Sequence, residues 1–296
     1  MSTSGAKHGA KPLVQEAAGV FHLLGKMASK HLVIVGGLVP YLLVPDAADE
    51  HIGSADIDFC LSVAITQGET RQYYKSIEEL LSPHFELASS SGFRWRKKDG
   101  IGGLPLAIDF LAPASEDDST VSDGTLELAD DVAASNAGEQ LRPFPIRSGA
   151  LIDEDAVETT IEAAELFYDL GVYADVEIRH AGSVGFLAAK ADALDGRDDS
   201  KDGYDVGWWC LNAKPTPDEV AELVIARPGF KHELFPECVH ELEQAFRAPD
   251  YHRPSGYAKE KFPGRAPGDD DYERARNAAY AATARVIETL KQNLWS

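Results

Sequence analysis

The chain has 296 residues, 44% hydrophobic and 26% charged, enough to bury a proper core in one large domain or two modest ones. Residues 1–11 are polar and small and no apolar run is long enough to span a bilayer, so neither a secretory signal nor a membrane anchor is expected, and the place expected is the cytoplasm. A net charge of −21 repels nucleic acid at long range, so an RNA or DNA partner needs a local basic patch, and the balance leans toward a small-molecule or nucleotide substrate.

Apolar residues at helical spacing (Val14, Ala17, Val20, Phe21, Leu24) predict an amphipathic helix over 13–29. A β-run over 31–35 ends at Gly36-Gly37, and the apolar stretch 38–44 opens a buried helix. After a polar loop, residues 55–63 alternate Ile57, Phe59 and Leu61 against Asp56, Asp58 and Cys60, which is a strand pattern. Residues 69–81 read as a helix stopped by Pro83, and 85–88, 93–97 and 104–111 as strands. The acidic, Ser- and Ala-rich stretch 113–140, with its charge cluster at 116–131, is a surface excursion with one edge strand at 125–128. Strands are predicted at 157–163 and 173–179, with Ser183 as N-cap of a helix through Leu194. Helices follow over 202–211, 217–226, 233–246 and 272–294, with 249–271 as a Pro- and Gly-rich linker. Cys60, Cys210 and Cys238 are far apart and read as buried or free thiols, neither a disulfide set nor a zinc site.

Three features carry the chemistry. Gly36-Gly37 lets the backbone turn sharply and approach a phosphate chain, although such a pair alone is more often merely a tight turn. In Ser54-Ala55-Asp56-Ile57-Asp58-Phe59, two carboxylates two apart on a strand project from one face. They are either an exposed acidic face or the ligands of a shared cation. Asp109 is a third acid isolated in an apolar strand, and a buried acid is costly unless paired or metal-bound. Three carboxylates on adjacent strands suit two Mg²⁺ ions (or Mn²⁺), one activating a hydroxyl and the other holding a triphosphate. Asp109 is then the ligand near the nucleophile, and Asp56 and Asp58 bridge the ions.

The run Val35-Gly36-Gly37, then Ser54-x-Asp56-x-Asp58, then Ile108-Asp109-Phe110 resembles the signature of polymerase-β-like nucleotidyltransferases. Residues 186–194 around Lys190, followed by Arg197 and by Lys201-Asp202-Gly-Tyr-Asp205, are similar to segments of AbiEii-like nucleotidyltransferases. These are the toxin half of bacterial abortive-infection toxin–antitoxin pairs. The resemblance spans Val35 to about Trp209. It implies an α+β fold, a mixed sheet with helices in a catalytic domain at 1–180, followed by an α-helical C-terminal domain at 181–296. It implies transfer of NMP from NTP to an RNA hydroxyl, at a tRNA 3′ end, with an antitoxin protein as partner. It further implies nucleotide contacts from Gly36, Gly37, Ser54 and Lys190, and a structural or catalytic acid at Asp202. From the residues alone, Lys190 and Asp202 are equally a surface pair on consecutive helices.

The sequence departs from the family pattern in three places. The gap from Gly37 to Asp56 is long, with 45–50 as an insertion, Leu38 follows the glycines in place of Ser or Thr, and Ile52-Gly53 replaces a basic residue. These departures bear on nucleotide affinity and base choice. A small-molecule nucleotidyltransferase and a degenerate nucleotide-binding protein are the alternative readings. The dense basic cluster Arg94-Trp95-Arg96-Lys97-Lys98 either stacks a base and neutralises phosphates or is a solvated strand edge.

Overall fold

The computed structural model describes residues 8–62, 68–88, 92–114, 121–122, 125–126, 140–196 and 200–295. Helix α1 (Ala10–Leu24) buries Leu13, Val14, Ala17, Phe21 and Leu24, the spacing that its sequence predicts. Gly25, at φ +56, ends it with its N–H on the Phe21 carbonyl, and the short α2 (Lys26–His31) follows instead of one continuous helix.

The buried β1 (Leu32–Val35) runs into a tight turn at Gly36–Leu38 and then α3 (Val39–Leu43). Next come β2 (Asp56–Leu61), α4 (Gly68–Leu81), β3 (Phe85–Leu87), β4 (Arg94–Lys97) and β5 (Ala107–Pro113). Strand β6 (Val121–Ser122) pairs antiparallel with β7 (Thr125–Leu126), which falls at the start of the expected edge strand at 125–128. The rest of the acidic cluster at 116–131 lies outside the described residues, as does Arg197. Strand β8 (Phe144–Ile146) and helix α5 (Gly149–Glu154) have no sequence forecast, because both are too short to show a period. Two long strands, β9 (Ala156–Glu165) and β10 (Tyr173–Ala181), complete an eight-stranded mixed sheet in the order β3-β4-β5-β2-β1-β10-β9, with β8 beside β5.

The described residues after β10 hold helices and turns only: α6 (Ser183–Gly196), α7 (Ser200–Asn212), α8 (Pro217–Ile225), α9 (Phe235–Ala245), α10 (His252–Lys261) and α11 (Asp270–Leu294). Ser183 does not cap α6, for its Oγ is buried without a partner. Asp155 does so from outside the helix, accepting the Gly185 N–H at 2.8 Å while Arg227 neutralises it at 2.7 Å. Burial pushes the Asp155 carboxyl up, against those bonds.

The expected linker at 249–271 is corrected by α10, which packs along α7. Pro254 is tolerated because the first-turn N–H groups have no helical partner to lose. Gly203 and Gly256 are contact glycines. A Cβ on the first would meet the Arg253 carbonyl at 2.3 Å, and one on the second the Ser200 carbonyl at 2.6 Å. Pro and Gly here mark a close helix crossing, not a loop. No described helix is long and apolar enough to cross a membrane.

Candidate functional site

Strand pairing assembles the acids. Antiparallel β1 and β2 set Val35 opposite Asp58, and parallel β2 and β5 set Asp58 opposite Asp109. Asp56 is two residues earlier on the same face of β2. Ile57, Phe59, Ile108 and Phe110 fill the opposite face and are fully buried, so register is fixed by the core and the acids have one side to occupy. Each carboxylate offers an oxygen, and these oxygens all lie within 4.8 Å of one another.

Arg94 meets them from β4, where it stands opposite Asp109. Its Nε and Nη2 donate to the two oxygens of Asp109 at 2.7 and 2.6 Å, and Nη2 also donates to Asp56 Oδ2 at 2.8 Å. The bond to Asp109 raises the guanidinium's pKa, so it stays charged. One guanidinium against three carboxylates leaves the cluster net negative. Ser54 Oγ donates to the other oxygen of Asp56 at 3.2 Å.

The glycine turn is pressed against this cluster. Gly36 has φ +70, and a Cβ there would lie 2.0 Å from Asp58 Oδ2. A Cβ on Gly37 would lie 2.2 Å from Lys201 Nζ and 3.0 Å from Ser54 Oγ. Gly36 requires the missing side chain on both counts, whereas at Gly37 the end of the Lys201 side chain would have to shift.

Behind the turn is a buried charge network. Lys190 Nζ donates to Asp202 at 2.8 Å and Asp205 at 2.6 Å, and Lys201 Nζ reaches both oxygens of Asp205 at 3.0 Å. Side-chain exposure is 4% for Lys190 and 1% for Asp202, so they are not the surface pair of the alternative reading. Burial pulls the Lys190 ammonium down, but Asp202 and Asp205 outweigh it and raise its pKa. Burial likewise favours a neutral Asp205, yet Lys190 and Lys201 hold its carboxyl well below the usual range. His51 closes the network, its Nε2 3.1 Å from Asp205 Oδ1 and its Nδ1 accepting the Gly53 N–H at 3.1 Å. That acceptor role places the imidazole proton on Nε2, and burial lowers its pKa, so it is a neutral donor.

A cleft of about 380 Å³ is lined by Gly36, Asp58 and Asp109, by Phe93 and Phe144, and by Lys190 of the buried network. The basic run 94–98 is not the expected solvated strand edge. β4 is interior to the sheet, Arg96 pairs with Glu86 at 2.5 Å, buried Lys97 pairs with Glu16 at 2.5 Å, and Lys98 donates to the Ser82 carbonyl.

The structure thus gathers Asp56, Asp58, Asp109 and Gly36 at one centre, and Gly37, Ser54, Lys190 and Asp202 next to it. Sequence reasoning missed Arg94, His51, Lys201 and Asp205 as members. The lysine and Asp205 lay inside a quoted motif. For Arg94 the missing information was which strand pairs with β5.

No family model matches the chain, and no curated protein does. Among solved structures it is similar to an antigenic nucleotidyltransferase-like protein from Paracoccidioides brasiliensis, with 14% identity and a TM-score of 0.42 over 83% of this chain and 92% of that one.

Proposed function

We propose that the chain is a metal-dependent nucleotidyltransferase that moves a nucleoside monophosphate from an NTP to an acceptor hydroxyl and releases pyrophosphate. The observation that carries this reading is the meeting of Asp56, Asp58 and Asp109, with oxygens within 4.8 Å of one another, beside a glycine turn. All-oxygen donors at that spacing suit Mg²⁺ or Mn²⁺, and the net negative cluster favours a divalent cation. When bound, such a cation supplies charge neutralisation for the phosphates and lowers the pKa of an attacking hydroxyl.

The chain's own residues divide the remaining work. Gly36 and Gly37 let phosphate oxygens approach the backbone, and Lys201 beside Gly37 supplies positive charge there. Lys190 borders the cleft and has three N–H donors, two of them committed to Asp202 and Asp205. Ser54 orients Asp56. Asp109 lies across β2 from the glycine turn, which makes it the acceptor-side carboxylate. As the acceptor oxygen bonds to the α-phosphorus, the bond from that phosphorus to the bridging oxygen breaks. The hydroxyl proton departs toward Asp109. In this reading 1–180 supplies the carboxylates and the helical part, 181–296, supplies the lysines.

Two acceptor classes fit. The resemblance to AbiEii-like toxins points to RNA, a tRNA 3′ end, with an antitoxin as protein partner. A specific observation favours a small hydroxyl-bearing molecule instead: Arg94, Arg96 and Lys97 of the dense basic run are paired with acids of this chain, and the net charge is −21.

The test incubates wild type and Asp58→Asn with Mg²⁺, each NTP labelled at the α-phosphate, and either total tRNA or a small-molecule extract. Label transferred by wild type alone establishes the activity and its acceptor class together. Transfer by a folded Asp58→Asn protein would sink the carboxylate assignment, and Mg-NTP binding without turnover on any acceptor would leave a nucleotide-binding protein.

A further inference from the structure

Arg94 engages more of the triad than a single ion pair requires. It takes both oxygens of Asp109 and one of Asp56, and Ser54 takes the other oxygen of Asp56. A divalent cation at the triad therefore competes for lone pairs that the guanidinium already uses. The Arg94 backbone is fixed between β3 and β5, but its side chain is 41% exposed and reaches the carboxylates from outside the core. It can leave them without disturbing packing. The planar fork that fits a carboxylate fits a phosphate equally well. A nucleotide seated against Gly36 and Asp58 brings phosphate oxygens to the same face.

We propose that Arg94 is an internal counter-cation that couples cation binding to nucleotide binding. Its guanidinium moves from Asp56 and Asp109 to a phosphate of the incoming nucleotide, and the released carboxylate lone pairs take the divalent cation. The inference rests on the nucleotidyltransferase reading above and adds to it an order of events. Without nucleotide the triad holds cations weakly, and nucleotide and cation strengthen each other's binding by the same factor.

The experiment follows Mn²⁺ binding by electron paramagnetic resonance. Wild type, Arg94→Ala and Arg94→Lys are titrated alone and with a non-hydrolysable α,β-methylene analogue of each NTP in turn. In wild type the analogue tightens Mn²⁺ binding about tenfold or more, the size expected for displacing a charge-assisted bond. Arg94→Ala binds Mn²⁺ tightly without nucleotide and gains little from the analogue. Arg94→Lys falls between, because a point charge cannot fork across Asp109. Should loss of the guanidinium from the carboxylate cluster prevent Arg94→Ala from folding, Arg94→Gln gives the same readings. Nucleotide-free Mn²⁺ affinity in Arg94→Ala equal to or weaker than in wild type overturns the proposal, since a purely structural arginine predicts that. Mn²⁺ binding by every protein, indifferent to nucleotide and to residue 94, overturns this inference alone. Mn²⁺ binding by none of them, with any analogue, overturns the nucleotidyltransferase reading as well.

Discussion

Gly36 and Asp58 share a space that admits only one side chain: a Cβ on Gly36 would sit 2.0 Å from Asp58 Oδ2. The glycine also has φ +70, where an L side chain costs about 1 kcal/mol. Gly36→Ala is therefore expected to move the Asp58 carboxylate as well as strain the turn. The expected outcome is loss of Mn²⁺ binding with a stability loss of about 1–3 kcal/mol. Denaturant unfolding and Mn²⁺ titration of the one variant check both halves. Unchanged Mn²⁺ affinity would detach the glycine turn from the carboxylate site.

The two lysines behind the turn are expected to separate stability from ligand binding. Lys190→Ala leaves Asp202 and Asp205 buried and short of a partner, a loss of about 3–5 kcal/mol for a broken buried pair. Lys201 is more exposed and Asp205 keeps Lys190 and His51 when it goes, so Lys201→Ala should cost less than Lys190→Ala. Apparent NTP affinity should nevertheless fall in Lys201→Ala, because its ammonium lies beside Gly37. Equal melting curves for the two variants would contradict the network as described.

Much of this site was legible because strand alternation is a short-range signal. Asp56, Asp58 and Asp109 were marked by apolar neighbours on both sides, and a half-buried strand leaves an acid only one face. Arg94 was not legible as their partner, because its meaning depends on β4 and β5 being adjacent, and pairing order is not written in a local pattern. Lys97 was misread for the same reason, its acid Glu16 lying on α1, far away in sequence. His51 fell in a polar loop, just after the stretch 45–50 that looked like an insertion, although its ring is packed against Tyr204 and Trp208 at 5.2 and 4.9 Å. Helix α10 was hidden by Pro254 and Gly256, residues whose usual message is a turn.

Stability should fall on mild acidification, and His51 should account for part of the fall. Burial lowers its pKa from 6.5, and the same holds for His180. The unfolded chain protonates these rings near 6.5 while the folded chain keeps them neutral, so below that pH the unfolded state binds more protons. The contribution of the neutral rings is complete above 6.5 and is lost as the pH drops toward the folded values. Melting temperature is expected to drop between pH 7.5 and 5, with a shallower slope in His51→Gln, whose amide still donates to Asp205. Identical slopes in the variant and wild type would show that His51 titrates as it does in the unfolded chain.

The close crossing of α7 and α10 yields the last expectation. Gly203 stands between Asp202 and Asp205, and a Cβ there would meet the Arg253 carbonyl at 2.3 Å, with that residue's carbonyl carbon at 2.9 Å. Backbone atoms cannot rotate away, so Gly203→Ala must push the helices apart, an overpacking cost of about 1–3 kcal/mol. Displacing α7 also shifts Asp202 and Asp205, and through them the ammonium groups of Lys190 and Lys201. Gly256→Ala forces the same crossing from the α10 side, where the Cβ would meet the Ser200 carbonyl at 2.6 Å, one residue before Lys201. Both variants should therefore lower the melting temperature and weaken NTP binding together. Mn²⁺ affinity measured without nucleotide should change in neither, because its ligands are on β2 and β5. A variant that loses nucleotide-free Mn²⁺ binding while staying folded would mean that the helices shape the carboxylate cluster directly. NTP affinity kept in a destabilised variant would confine the crossing to packing.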